Sequence, residues 1–148
     1  MQAPASLPPQ NTCTFVVGRL MEIRVAAGYH TVRDVDQMIT MMREQISRLP
    51  EREMIVIAAD WRHVTVMPQA TAARARDMLA RSNPRVLRSS ILTDPTHATA
   101  NLQVLRLVKA AENDNRRHFT SPGEQIAWLA QVLTSRELQR LREFLLAV

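Results

Sequence analysis

The stretch that most constrains this chain is residues 53–61, EMIVIAADW. From Met54 to Ala59 it is apolar without a break, and Asp60, Trp61 and Arg62 close it. A membrane helix needs roughly 18–20 apolar residues, so this run is too short to span a bilayer. Its length and its Ile and Val content fit a central strand buried on both faces. Such a strand cannot stand alone. The rest of the chain must supply neighbours on either side and helices above and below.

The remaining segments read as those parts. TCTFVV and LMEIRVA flank a hairpin corner at Gly18-Arg19, and in the second Leu20, Glu22 and Arg24 alternate with Met21, Ile23 and Val25. A long helix is predicted from about Thr31, with Val32, Val35, Ile39, Met42, Ile46 and Leu49 along one side. Thr31 and Asp34 favour its first turn, and Pro50 ends it. Pro68 suits the start of a helix through QATAARARDMLARS, which Asn83-Pro84 stops. RVLRSSILTD reads as a strand, ATANLQVLRLVKAAEN as a helix and RRHFT as a short strand. Ser121, Pro122 and Glu124 make the best cap in the sequence, ahead of EQIAWLAQVL. A second box, Thr134 to Glu137, opens a last helix with Leu138, Leu141, Leu145 and Val148 on its apolar side. The order β-β-α-β-α-β-α-β-α-α predicts an α/β fold: a mostly parallel sheet with one N-terminal hairpin strand, helices packed on it and an extra C-terminal helix. MQAPASLPPQN, residues 1–11, reads as a disordered Pro-rich tail, leaving 12–148 as one domain.

Composition narrows the class of function. The single cysteine, Cys13, excludes an internal disulfide and a multi-thiolate metal site. It falls in a predicted strand and is expected to be buried and inert. Without a basic and apolar leader at the N-terminus, a cytoplasmic protein is the simplest reading. The net charge of +5 rests on 18 Arg and one Lys, and residues 62–88 hold six Arg against one acid, Asp77. A basic cluster suggests an anionic partner. Arg74, Asp77 and Arg81 are spaced to pair locally, however, and six aromatics offer little for stacking on single strands, so nucleic acid is not the expected partner.

MIVIAAD ending at Asp60, VTVMPQAT leading into a helix, and HFTSPGEQIAWL together resemble the STAS domain and its SpoIIAA-like relatives, over roughly residues 12–133. The resemblance is one of topology and pattern. It implies a non-enzymatic protein-interaction module, often controlled by phosphorylation of a Ser in an Asp-Ser-Ser-Gly type motif that opens the second helix. The equivalent stretch here is Pro68-Gln69-Ala70-Thr71, which puts Ala70 at the acceptor position and leaves Thr71 as the nearest hydroxyl. The usual phosphoserine switch is therefore expected to be missing.

Independent of that resemblance, polar residues gather after the predicted strands: His30, His63, His97, Asp60 and Asp94, with Tyr29, Trp61, Arg62 and Thr96. Parallel α/β sheets place ligands at such ends. No His-Glu-x-x-His or His-x-His spacing and no Gly-rich phosphate loop accompanies them, so neither a metal, a cofactor nor a catalytic set is expected. Met38, Met41 and Met42 read as core of an amphipathic helix, and Trp128 as helix–sheet packing. The expected contact face for another protein, a second copy of the chain included, is Tyr29, His30, Trp61, Arg62, His63, Gln69, Thr71 and Thr96. The last helix around Arg136, Arg140 and Phe144 is the second choice. A small-molecule-binding domain or small enzyme using the same strand ends is the competing class.

Overall fold

A computed structural model describes residues 7–81, 83–111 and 113–146. The expectations for residues 1–6, Ser82, Glu112 and Val148 lie outside the described residues. The elements run β1 (Asn11–Phe15), β2 (Leu20–Val25), α1 (Val32–Ser47), β3 (Ile55–Asp60), α2 (Gln69–Ala80), β4 (Val86–Leu92), α3 (Ala98–Ala110), β5 (Arg116–Phe119), α4 (Pro122–Ala130) and α5 (Ser135–Leu146). This is the element order read from the sequence. The five strands lie in chain order, β1-β2-β3-β4-β5, with β1 antiparallel to β2 and the others parallel. All six residues of β3 are buried, so the apolar run does form the middle of the sheet.

Alternation along the strands sorts the chain into two cores. Met21, Ile23 and Val25 of β2 and Ile55, Ile57 and Ala59 of β3 point to one face, where Val35 and Met38 of α1, Ala75 and Leu79 of α2, and Val104 and Leu107 of α3 cover them. Leu20, Val56 and Ala58 point to the other, under Ile126, Trp128 and Leu129 of α4 and Leu141, Phe144 and Leu145 of α5. The three crossover helices thus share one face. With sequential strand order and one-sided crossovers, neighbouring connections do not diverge, and the crevice that such divergence opens in doubly wound sheets is not built.

Local chemistry explains the ends of the elements. Thr31 and Asp34 form a reciprocal capping box at the start of α1. Ser121 accepts from the Glu124 amide with Pro122 in the first turn of α4. The Thr134 amide donates to Glu137 Oε1 (2.9 Å) and the Glu137 amide to Thr134 Oγ1 (3.2 Å). Pro68 stands one position earlier than expected, at the cap of α2. Gly18 has φ +58°, and a Cβ there would lie 2.4 Å from Glu137 Oε2, so the hairpin corner tolerates glycine alone. Asn11, expected in the N-terminal tail, is instead the first residue of β1. Asn11 pairs with Val25, accepts from the Ala27 amide (2.9 Å) and donates to the Gly28 carbonyl (3.0 Å).

Many of the arginines are structural. Helix C-termini leave carbonyls unpaired, and a guanidinium supplies several donors to them. Arg24 and Arg62 donate to the Phe144 and Leu145 carbonyls in the last turn of α5. Arg88 donates to the Trp128 carbonyl at the end of α4 (2.5 Å), Arg19 to the Val132 carbonyl beyond it (2.8 Å), and Arg116 to the Leu79 carbonyl of α2. Arg85 binds the Pro50 and Glu53 carbonyls after α1. Arg74 does not pair with Asp77 as its spacing suggested but crosses to Asp36 on α1 (2.6 Å). Of the six arginines in the basic segment, Arg62, Arg74, Arg85 and Arg88 are thus occupied within the fold.

Candidate functional site

The carboxyl end of β3 organises the predicted surface. Asp60 is 3% exposed and carries a fork from Arg62, with Nε 2.9 Å from Oδ1 and Nη2 3.0 Å from Oδ2, while the Arg62 amide also reaches Oδ1 (3.1 Å). Arg24 Nε stands 3.3 Å away as an ion pair lacking hydrogen-bond geometry, and its guanidinium lies 4.3 Å over the Phe144 ring. Burial alone would raise the Asp60 carboxyl. The Arg62 hydrogen bonds and charge, with Arg24, outweigh it and hold the carboxyl below its ordinary range. A carboxylate so paired is an anchor for α5, and it is a poor general base.

Beyond Asp60 the Trp61 amide continues the ladder to the Leu92 carbonyl (2.8 Å). The segment then folds back under two buried side chains, Val64 and Met67. Gln103 of α3 brackets Met67, accepting from its amide (2.8 Å) and donating to its carbonyl (3.0 Å). This brace leaves Thr65, Val66 and Pro68 facing outward, with Val66 52% exposed.

The eight predicted contact residues divide. His30, His63, Gln69 and Thr96 are exposed and Arg62 is half-buried. Tyr29, Trp61 and Thr71 are corrected to interior residues, each 2% exposed. Tyr29 and Trp61 meet edge to face with centroids 5.3 Å apart, because a large ring after a central strand closes the end of the core. Thr71 Oγ1 donates to the His30 carbonyl (3.3 Å), which ties the β2–α1 loop to the start of α2. Ala70 is the exposed residue of that pair. Thr96 belongs to a local turn, giving its amide and hydroxyl to Asp94 Oδ1 (2.9 and 2.7 Å). The second-choice surface is also corrected. Phe144 is 6% exposed, and Arg140 forks onto buried Glu22 at 2.7 Å through both nitrogens. Arg136 alone of that trio is exposed and unengaged among the described residues.

Other groups are accounted for by packing. Burial pushes the Cys13 thiol up to about 12, which removes it as a nucleophile near neutral pH. Ser90 donates to the Ile57 carbonyl (3.0 Å) and accepts from Gln125 (2.8 Å) inside the sheet–α4 interface. Trp128 packs on Phe119 with Arg88 and Arg117 over its ring at 4.7 and 5.0 Å. Among the described residues no three His, Cys, Asp or Glu side chains converge as metal ligands.

Two features escaped sequence reasoning. His118, the histidine not placed after a strand, meets Thr93 Oγ1 at 2.6 Å, and Thr93 also bonds Asn101. Burial lowers its pKa, favouring neutral imidazole. Its position in a four-residue strand gave no signal, since the pairing spans three elements. A groove of about 670 Å³ runs along α1 beside Pro9–Asn11 and includes none of the eight predicted residues. No family model matches this chain, and no curated protein or solved structure matches it significantly.

Proposed function

We propose that this chain is a non-enzymatic interaction module of the STAS, SpoIIAA-like type that works in the cytoplasm and binds another protein without a phosphoserine switch. Its contact surface is the braced turn after β3 with the adjoining start of α2: His30, His63, Thr65, Val66, Pro68 and Gln69. The observation that carries this reading is Val66, an apolar side chain held outward by buried Val64 and Met67 on a turn fixed by Gln103. Orderly exposure of an apolar group beside histidines and a helix start suits recognition by a partner surface, since little chain entropy is lost on docking. The strand-end carboxylates are committed elsewhere, Asp60 to two arginines and Asp94 to its own turn, which favours binding over acid–base work. Ala70 stands exposed where the antagonist family carries its acceptor, whereas Thr71 is buried and bonded.

A photo-crosslinking residue at position 66, and another at exposed Gln139 on α5, test this in the native host. One stoichiometric protein captured from position 66 and not from position 139 is expected, and Val66→Asp should abolish that capture. Capture from position 139 alone, or capture indifferent to Val66→Asp, would remove the proposed face. A small metabolite retained by the purified chain through dialysis, with no protein captured, would favour the ligand-binding alternative.

A further inference from the structure

Beneath α1 and α2 the first core is incompletely filled. A cavity of about 40 Å³ lies against the sheet, bounded by Tyr29, Met38, Ile57, Met78, Ser89 and Arg116 among others. On the scale where one water requires roughly 10–15 Å³, that is room for a few waters and no more. Its polar groups are unusual for so apolar a setting. The Tyr29 hydroxyl and Arg116 Nε are both buried and have no hydrogen-bond partner. Arg116 Nε can only donate and the Tyr29 hydroxyl can donate as well as accept, so one acceptor group would satisfy both. Arg116 is also without a carboxylate partner among the described residues; the hydrogen bond its side chain makes goes to the neutral Leu79 carbonyl. Arg116 as a residue is half-buried, and it is its Nε that is shut off from water without a partner, which costs free energy until an acceptor reaches it.

The wall of this cavity is soft. Met42 and Met78 line it and also line an outer groove of about 230 Å³ between α1 and α2. That groove includes Ile39 and Ile46 and carries two cations, Arg43 and Arg81. Methionine is unbranched and changes rotamer at little cost, so rotation of these two shared side chains would join groove and cavity into one volume. Cations at the entrance, an apolar passage and a buried, unpartnered guanidinium Nε point to the complementary molecule: a carboxylate on a short apolar chain.

We propose that the α1–α2 groove and the cavity beneath it form a binding site for a small apolar monocarboxylate, its carboxylate on Arg116 and its hydrocarbon among Met38, Met42, Ile57 and Met78. The site is separate from the exposed turn at Val66 and stands whether or not that turn binds a protein. Hexanoate is a suitable probe, with hexanol as the uncharged control. With methyl-labelled methionine in the full-length chain, hexanoate should produce saturable NMR shifts at Met38, Met42 and Met78. Hexanol should bind at least tenfold more weakly. Arg116→Met should lower hexanoate affinity at least tenfold while leaving hexanol binding within threefold. The comparison of the two probes on the unmodified chain decides the question even if the variant does not fold. Equal affinity for both, shifts confined to Met42 and Met78 with none at Met38, or no saturation at millimolar hexanoate would each overturn the proposal.

Discussion

Glu22 shows what a single residue can hide. It alternates in the sequence with Met21, Ile23 and Val25, a pattern that does not say what covers it, and it is 2% exposed beneath α5 with both carboxylate oxygens on Arg140. Removing one partner from a buried pair leaves the other charge stranded, whereas replacing both with apolar groups is often neutral or better. Arg140→Met should therefore cost about 3 kcal/mol by urea denaturation. Glu22→Leu with Arg140→Met should recover most of that loss, and equal losses for single and double variants would contradict the pairing. His118 gives a second prediction at this scale. Its folded pKa is lowered by burial, so the unfolded chain binds the extra proton first as pH falls. Its contribution is complete above the unfolded value near ~6.5 and declines as pH drops toward the folded value. Stability should fall between about pH 7 and 5, and His118→Gln should flatten that slope. An unchanged slope in the variant would assign the titration to another group.

At the scale of elements, α5 is the piece whose role was least legible. Its capping box and its apolar side could be read directly, and both are present. What could not be read was its destination. The resemblance ends near residue 133, and nothing local says that Leu141 and Leu145 lie over β2 and β3 while Arg24 and Arg62 reach back to the carbonyls of its last turn. Those bonds join residues more than a hundred positions apart in one case and 83 in the other, beyond any window of periodicity. The strands and crossover helices were legible because each declares itself within a few residues: continuous apolar β3, the period of α1, the Ser-Pro-Gly-Glu cap of α4. Tyr29 and Trp61 were misplaced for the converse reason, because position after a strand does not distinguish a ring pointing out from one closing the core. Ending the chain after Leu133 should therefore expose Leu20, Val56 and buried Glu22 and Asp60 together. Loss of a cooperative thermal transition, measured by circular dichroism, is the expected result; a stable truncated domain would make α5 an appendage.

For the whole molecule, the balance of charge couples α5 to acid. Besides the Glu22–Arg140 pair along its length, two buried carboxylates hold this helix at opposite ends, Glu137 with Arg19 at its start and Asp60 with Arg24 and Arg62 at its finish. At Glu137, as at Asp60, burial alone would raise the pKa, but the Thr134 amide and Arg19 reverse it and the net shift is downward. A carboxyl whose folded value lies below its unfolded one contributes stability above the unfolded value near ~4, and loses it as pH falls through the folded value. The chain already carries +5 at neutrality, so each proton taken up in that window adds to its self-repulsion. Protonation also strands three guanidiniums beside α5, whereas β3 is held by apolar contacts on both sides that do not titrate. Acid should therefore release α5 before the sheet. Amide hydrogen exchange followed from pH 5 to 3 is the direct measurement, after correction for the intrinsic pH dependence of exchange. Protection along Glu137–Leu145 should fall at higher pH than protection of Ile55–Ala59, and Asp60→Asn should bring that loss nearer to neutrality. Simultaneous loss in both segments would mean that the two ion-pair anchors do not set the acid sensitivity of this fold.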